Sequence, residues 1–141
     1  MFRNPDVDRL RALLREVRTI AVVGLSPKPD RPSHGVSKSM QSFGYRIVPV
    51  NPGQAAVLGE TCYATLRDMP EAVRAGIDLV DVFRQADAVP AIVDDCIALG
   101  LKRLWLQDGV VDAAAAQRAV EAGIEVVMDR CVYRDYVNLM R

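Results

Sequence analysis

Apolar residues are spaced in two alternating ways along this chain. Val7, Leu10, Leu14 and Val17 recur at helical intervals, behind Asn4 as a cap and Pro5 at a first helical position. This predicts a helix from Asn4 to Arg18. "TIAVVGL" (Thr19 to Leu25) is then a continuous β-branched and apolar run, the pattern of a parallel strand buried on both faces. Val36, Met40 and Phe43 return to helical spacing behind Ser33, a candidate cap, and Gly44 stops that helix. "YRIVPV" (Tyr45 to Val50) is a second strand, broken by Asn51-Pro52-Gly53, and a short helix is expected near Leu66 to Met69.

The alternation then repeats. "IDLVDVF" (Ile77 to Phe83) is a third strand. Val89, Ile92, Val93, Cys96 and Leu99 share a helix face between Asp87, a candidate cap, and Gly100. "LKRLWLQ" (Leu101 to Gln107) is a fourth strand, with Trp105 expected in the core. A helix capped by Asp112 runs to Gly123, and "IEVVM" (Ile124 to Met128) is the fifth strand. A last helix is expected between Tyr133 and Met140. Strands alternating with helices imply a three-layer, Rossmann-like α/β fold, a five-stranded parallel sheet with helices on both faces. The expected strand order is 3-2-1-4-5. The expected division is one domain over 1–141: an N-terminal helix to residue 18, a core over 19–130 and a tail over 131–141.

Ligands of such sheets bind at the carboxyl ends of the strands, which directs attention to the turns after Val23, Val50, Val82 and Leu106. The first, Gly24 to Ser33, lacks the glycine fingerprint of a dinucleotide site. It offers a close backbone approach at Gly24, hydroxyls at Ser26 and Ser33, and charge at Lys28 and Arg31, ahead of a helix N-terminus that favours anions. Two readings stand, a phosphate cradle and a plain proline-rich connection. Asn51, 27 residues beyond Gly24, occupies the place where a nicotinamide enzyme usually carries an acid. It suits a ribose or an adenine edge, or simply a turn. Phe83 and Arg84 suit an adenine beside a phosphate, with Val89 and Ile92 as walls, or a core ring and a solvated strand end. Gln107-Asp108-Gly109 is a polar turn at the same edge.

Charge changes this picture in one respect. Eighteen basic residues balance eighteen acidic ones, so the basic excess of a nucleic-acid binder is missing. Lys28, Arg31 and Arg84 on one rim therefore stand out, and they suit a ligand with several phosphates and an adenine. No apolar run is long enough for a bilayer span and no signal-peptide pattern opens the chain, so a cytoplasmic protein is expected. Cys62, Cys96 and Cys131 form neither a CxxC pair nor a metal spacing.

"VVGLSPKPDRPSHGV", "GYRIVPVNP", "LGETCYATLRDMP", "IDLVDVFR", "LWLQDGV" and "AGIEVVMDRCVYRDY" occur in this order. In them the chain, from about Thr19 to Tyr136, resembles the small stand-alone CoA-binding proteins of bacteria and archaea. That family in turn resembles the CoA-binding domain of the succinyl-CoA synthetase alpha subunit. The resemblance implies a Rossmann-like fold and coenzyme A as ligand. It implies a pyrophosphate against Gly24, Ser26 and the helix after Ser33, with Lys28 and Arg31 on phosphates. Val50, Asn51, Pro52, Phe83 and Arg84 would line the adenosine end. Leu25, Val89, Ile92 and Gln107, read from their places at the same edge, are the remaining candidate binding residues. The synthetase works through a phosphorylated histidine on a second domain and a separate beta subunit. The sole histidine here, His34, follows the loop and reads as a neighbour of the phosphates or a surface residue.

The resulting expectation is non-catalytic binding of CoA or an acyl-CoA, with a homodimer or an enzyme partner open and nucleic acid and membrane excluded. The alternative is an NAD(P)-dependent oxidoreductase or an acyl-CoA transferase-related enzyme. A dehydrogenase would be expected to show the glycine fingerprint and an acid in place of Asn51.

Overall fold

The computed structural model describes residues 1–140; Arg141, the end of the predicted tail, lies outside the described residues. Five strands form one parallel sheet: β1 (Thr19–Val23), β2 (Arg46–Val50), β5 (Leu79–Val82), β6 (Arg103–Leu106) and β7 (Glu125–Met128). Between β2 and β5 the chain makes a small antiparallel ribbon, β3 (Ala56–Val57) with β4 (Glu60–Thr61), a 3₁₀ turn at Leu66–Asp68 and the short helix α3 (Glu71–Arg74).

Strand residues alternate between the two faces, as the two-residue period requires. Ile20, Val22, Ile47, Leu79, Trp105 and Val127 point to one apolar cluster. It is covered by α1 (Val7–Glu16), α2 (Pro32–Ser42) and α6 (Val132–Leu139). Ala21, Val23, Val48, Val80, Leu104 and Leu106 point to the other, covered by α4 (Val89–Leu99) and α5 (Ala113–Glu121). Trp105 is fully buried, and its indole Nε1–H donates to the Arg130 carbonyl at 2.8 Å, which anchors the loop after β7. Tyr45 donates its hydroxyl to the Leu14 carbonyl, tying α1 to the entry of β2, and burial pushes that phenol up to about 12. Among the described residues no helix is long and apolar enough to cross a membrane.

The class is as expected, and the strand order is not. The sheet runs β2-β1-β5-β6-β7, which is 2-1-3-4-5 in the count of predicted strands, rather than 3-2-1-4-5. The third predicted strand lies on the far side of β1. Two features put it there. The Asp78 carboxylate accepts from the backbone N–H groups of Arg18 (2.9 Å) and Thr19 (3.1 Å), which fixes the start of β5 against β1. The outer edge of β2 is already engaged, because Tyr63 donates to the Pro49 carbonyl (3.1 Å) and Asn51 to the Tyr63 carbonyl (2.8 Å). Pro49 also lacks an N–H, which suits an edge strand and not an interior one. The crossover from β1 leads to β2 and that from β5 leads the other way, so the notch between their carboxyl ends is the topological switch point.

Three of the expected caps also differ. Asp6 caps α1 by accepting from Arg9 N–H at 2.8 Å, while Asn4 exchanges two hydrogen bonds with the backbone of Met128 (2.9 and 2.8 Å). Ser33 and Asp87 make no cap bond, because α2 begins at Pro32 and a 3₁₀ turn, Ala86–Ala88, precedes α4. Asp112 caps α5 as expected, accepting from Ala115 N–H at 3.0 Å.

Candidate functional site

A cleft of about 1070 Å³ opens over the notch between β1 and β5. Its near wall is the loop after β1. Gly24 holds φ +86° and donates its N–H to the Val50 carbonyl at 2.8 Å. A Cβ there would stand 2.3 Å from the Phe83 carbonyl oxygen, so only glycine lets the two loops meet. Beyond it the loop is tied to itself. Ser33 Oγ accepts from Ser26 N–H (3.0 Å), and Ser26 Oγ accepts from Lys28 N–H (3.1 Å). Both hydroxyls act as acceptors in these bonds, which leaves each O–H proton to donate outward. No acidic residue stands in the first turn of α2, so the positive end of its dipole faces the cleft uncompensated.

The far wall comes from the turns after β5 and β6. Phe83, Arg84 and Gln85 line it, with the stem of Arg84 packed toward Gly24. Gln107 is buried, and its side-chain oxygen accepts from Val132 N–H at 3.0 Å, so it braces the start of α6 beneath the cleft floor. Asp108 makes a two-pronged pair with Arg134 (2.8 and 2.9 Å), and this guanidinium holds its carboxyl below the ordinary value. Arg130 is likewise committed, to Asp135 at 2.7 and 2.8 Å. Lys28, Arg31 and Arg84 differ: among the described residues no carboxylate lies within ion-pair distance of any of them. The cleft thus presents three uncompensated cations, two hydroxyl donors and a helix N-terminus, which is the donor set a multiply phosphorylated ligand needs.

Seven of the residues expected from sequence line the cleft directly: Gly24, Ser26, Lys28, Arg31, Ser33, Phe83 and Arg84. Gln107 joins them as the buried floor. Leu25, Val50, Val89 and Ile92 are core residues behind the wall. Asn51 donates its side-chain amide to the Leu25 carbonyl at 3.0 Å, which pins the loop after β1 from outside, and Pro52 is exposed beyond it. His34 does not line the cleft; its backbone N–H bonds to the Arg31 carbonyl at 3.1 Å.

Sequence reasoning did not assign Val36, Gln85, Asp87 or Val110 to the site, yet all four line it. Helical spacing made Val36 a core position, and Asp87 read as a cap. Only the actual start of each helix shows otherwise. Cys131 also forms part of the wall and is 9% exposed. All three cysteines are free, and burial pushes the Cys96 thiol up to about 12 and raises that of Cys62.

The family model described as a CoA binding domain matches residues 18–136. The chain belongs to the CoA-binding domain family. Among its relatives is YneT of Bacillus subtilis (strain 168), 38% identical over 131 residues, which are 93% of this chain and 94% of YneT. An ADP-forming acetate–CoA ligase of Archaeoglobus fulgidus is 24% identical over 125 residues, 82% of this chain and 18% of the ligase, so this chain spans under a fifth of that enzyme. The solved structure of a protein from Pyrococcus horikoshii OT3 superposes with a TM-score of 0.90 at 33% identity, and the match covers 100% of this chain and 99% of that one. The region that this chain matches therefore occurs both as a small protein close to this length and as one segment of a larger ligase.

Proposed function

We propose that this chain binds coenzyme A in the cleft between the loops after β1 and β5 and performs no chemistry of its own. The observation that carries the reading is the group of three uncompensated cations at one edge of a chain with no net charge. Coenzyme A has a pyrophosphate and a 3′-phosphate, which together call for more positive charge than the pyrophosphate of NAD. In this reading the pyrophosphate lies against Gly24, the Ser26 and Ser33 hydroxyls and the start of α2. Lys28, Arg31 and Arg84 neutralise phosphates, and Phe83 offers an apolar surface to the adenosine end. Leu25, Val50, Asn51, Val89 and Ile92 shape the wall from behind.

Calorimetric titration with CoA, 3′-dephospho-CoA, NAD and NADP tests the proposal. CoA is expected to bind with Kd about 10 μM or tighter, with dephospho-CoA roughly tenfold weaker and NAD weaker still. Tight NAD binding without CoA binding would overturn it and favour an oxidoreductase.

A further inference from the structure

A second, smaller groove of about 330 Å³ is lined by Pro32, Gly35, Val36, Ser39 and Tyr133. Pro32 and Val36 also line the main cleft, so the two hollows adjoin and share a wall. The groove's surroundings differ from those of the cleft. None of its five residues is charged, and Tyr133 forms its outer side at the end of an aromatic stack, with its ring centroid 6.0 Å from Phe43, which in turn stacks at 4.1 Å on Tyr136. This stack gives the groove a firm wall.

Gly35 is the unexplained residue. It sits inside α2, where glycine is the worst helix former after proline. Its φ is not positive, and a Cβ built on it meets nothing within 4 Å. Neither backbone conformation nor packing within the described residues requires a glycine there. The missing side chain keeps the groove open beside the cleft.

Resting on the reading of the cleft as a CoA site, we infer that the groove takes the acyl group of an acyl-CoA, with a short unbranched apolar chain as the preferred class. The three free cations lie on the loops after β1 and β5, so the phosphates occupy that end. The cleft wall at Cys131 and Val36 carries no free charge and suits the uncharged arm and its sulfur. The groove adjoins this wall at Val36, across which an acyl chain would pass into it. A thioester-linked chain entering it loses water from its methylenes, each worth about a fourfold gain in affinity when fully buried.

The test compares CoA, acetyl-CoA, butyryl-CoA and hexanoyl-CoA by calorimetry, on the unaltered protein and on Gly35→Leu. Leucine favours helix over glycine and its Cβ meets nothing within 4 Å, so the variant is expected to melt no lower than the parent. Ser39→Met, which fills the groove from the next turn, serves as the second variant. The expected result is butyryl-CoA roughly tenfold tighter than CoA on the parent, with both variants keeping the CoA affinity and losing the acyl increment. Equal affinity for CoA and every acyl-CoA on the parent would overturn the inference while leaving the CoA site intact. So would an acyl preference that survives both filled grooves. Failure of CoA itself to bind would remove the reading of the cleft and this inference with it.

Discussion

At the amino edge of the sheet, Arg9 and Arg103 share Glu16 and Glu125. Arg9 meets Glu125 at 2.5 Å and Glu16 at 3.0 Å, and Arg103 meets Glu16 at 2.7 Å and Glu125 at 3.5 Å. At the carboxyl edge, Lys28, Arg31 and Arg84 line the cleft with no carboxylate within ion-pair distance among the described residues, although Asp87 and the Arg134-paired Asp108 line the same cleft. The two edges belong to one sheet and use the same residue types. At the amino edge Arg9 and Arg103 have their counter-charges inside the chain, and the network closes α1 onto β6 and β7. At the carboxyl edge the three cations have no ion-pair partner among the described residues and are left to water or to a ligand. Composition hides this contrast, because the totals cancel; only the partner of each charge reveals it.

The comparison breaks most severely at Gly24, which lets the two loops of the carboxyl edge meet. Gly24→Ala places a Cβ 2.3 Å from the Phe83 carbonyl oxygen at a φ of +86°. The backbone must shift, and the expected cost is about 3 kcal/mol or more, with CoA binding lost as the loops part. Urea denaturation of the variant reads the first effect and calorimetry the second. A variant as stable as the parent would show that the loops have room the structure does not give them.

Next in size is removal of the free cations. Lys28→Ala combined with Arg84→Ala takes two charge-assisted contacts from the proposed ligand, each worth about 1.5–3 kcal/mol, so CoA affinity is expected to fall at least about a hundredfold. The melting temperature is expected to stay where it was, since neither residue has a partner in the described chain to lose. Affinity of the parent is also expected to weaken with added salt. A double variant that unfolds early while binding normally would reverse the roles of the two edges.

Much of this was legible before any coordinates. Five apolar runs ending near Gly24, Val50, Val82, Leu106 and Met128 define the strands because a strand buried on both faces has no polar alternation to obscure it. Lys28, Arg31 and Arg84 could be placed on one rim because every parallel strand ends at the same edge. Strand order was harder, since it depends on which edges stay free. The proline at 49 carried that signal locally, while the pairing of Tyr63 with Pro49 and Asn51 is a contact between distant parts of the loop that periodicity does not encode. The wall residues Asn51, Val89 and Ile92 fell behind the cleft for a related reason. Spacing says that a residue lies on a buried face, and it does not say whether the space in front of that face is filled.

Asp81 adds a third kind of charge to the contrast, one that has neither a partner nor solvent. It lies in β5, 1% exposed, beside Val22 and Trp105 in register, and its Oδ1 has no hydrogen-bond partner among the described residues. Burial pushes its carboxyl well above the usual 3.8, against a weaker opposite pull from a backbone hydrogen bond at Val82. The folded state therefore holds a proton that the unfolded chain releases, and stability falls as pH rises from about 3.8 toward the folded value. Asp81→Asn, which cannot ionise, is expected to melt several degrees higher at neutral pH and to show a flatter pH profile. Thermal melts across pH 4–8 decide it, and a variant less stable than the parent at neutral pH would show that the ionised carboxylate is satisfied inside the sheet.

The smallest effect is expected within the paired network of Arg9, Arg103, Glu16 and Glu125. Arg103→Gln breaks two contacts of the amino-edge network but leaves Arg9 to both glutamates, and exposed pairs of this kind contribute about 0–1 kcal/mol. The melting temperature is expected to fall by no more than about 4 °C, and CoA affinity to stay unchanged. The pH dependence has the opposite sign to that of Asp81. Arg9, more than Arg103, holds the Glu16 carboxyl below its ordinary value. The network's contribution is then fully present at neutral pH and is lost as pH falls through the folded value of Glu16. Acid melts of Glu16→Gln beside the parent should therefore converge toward low pH and separate toward neutrality. Curves that separate at low pH instead would mean that this network does not favour the charged carboxylate, and the division between a self-satisfied edge and a ligand-seeking one would lose its first half.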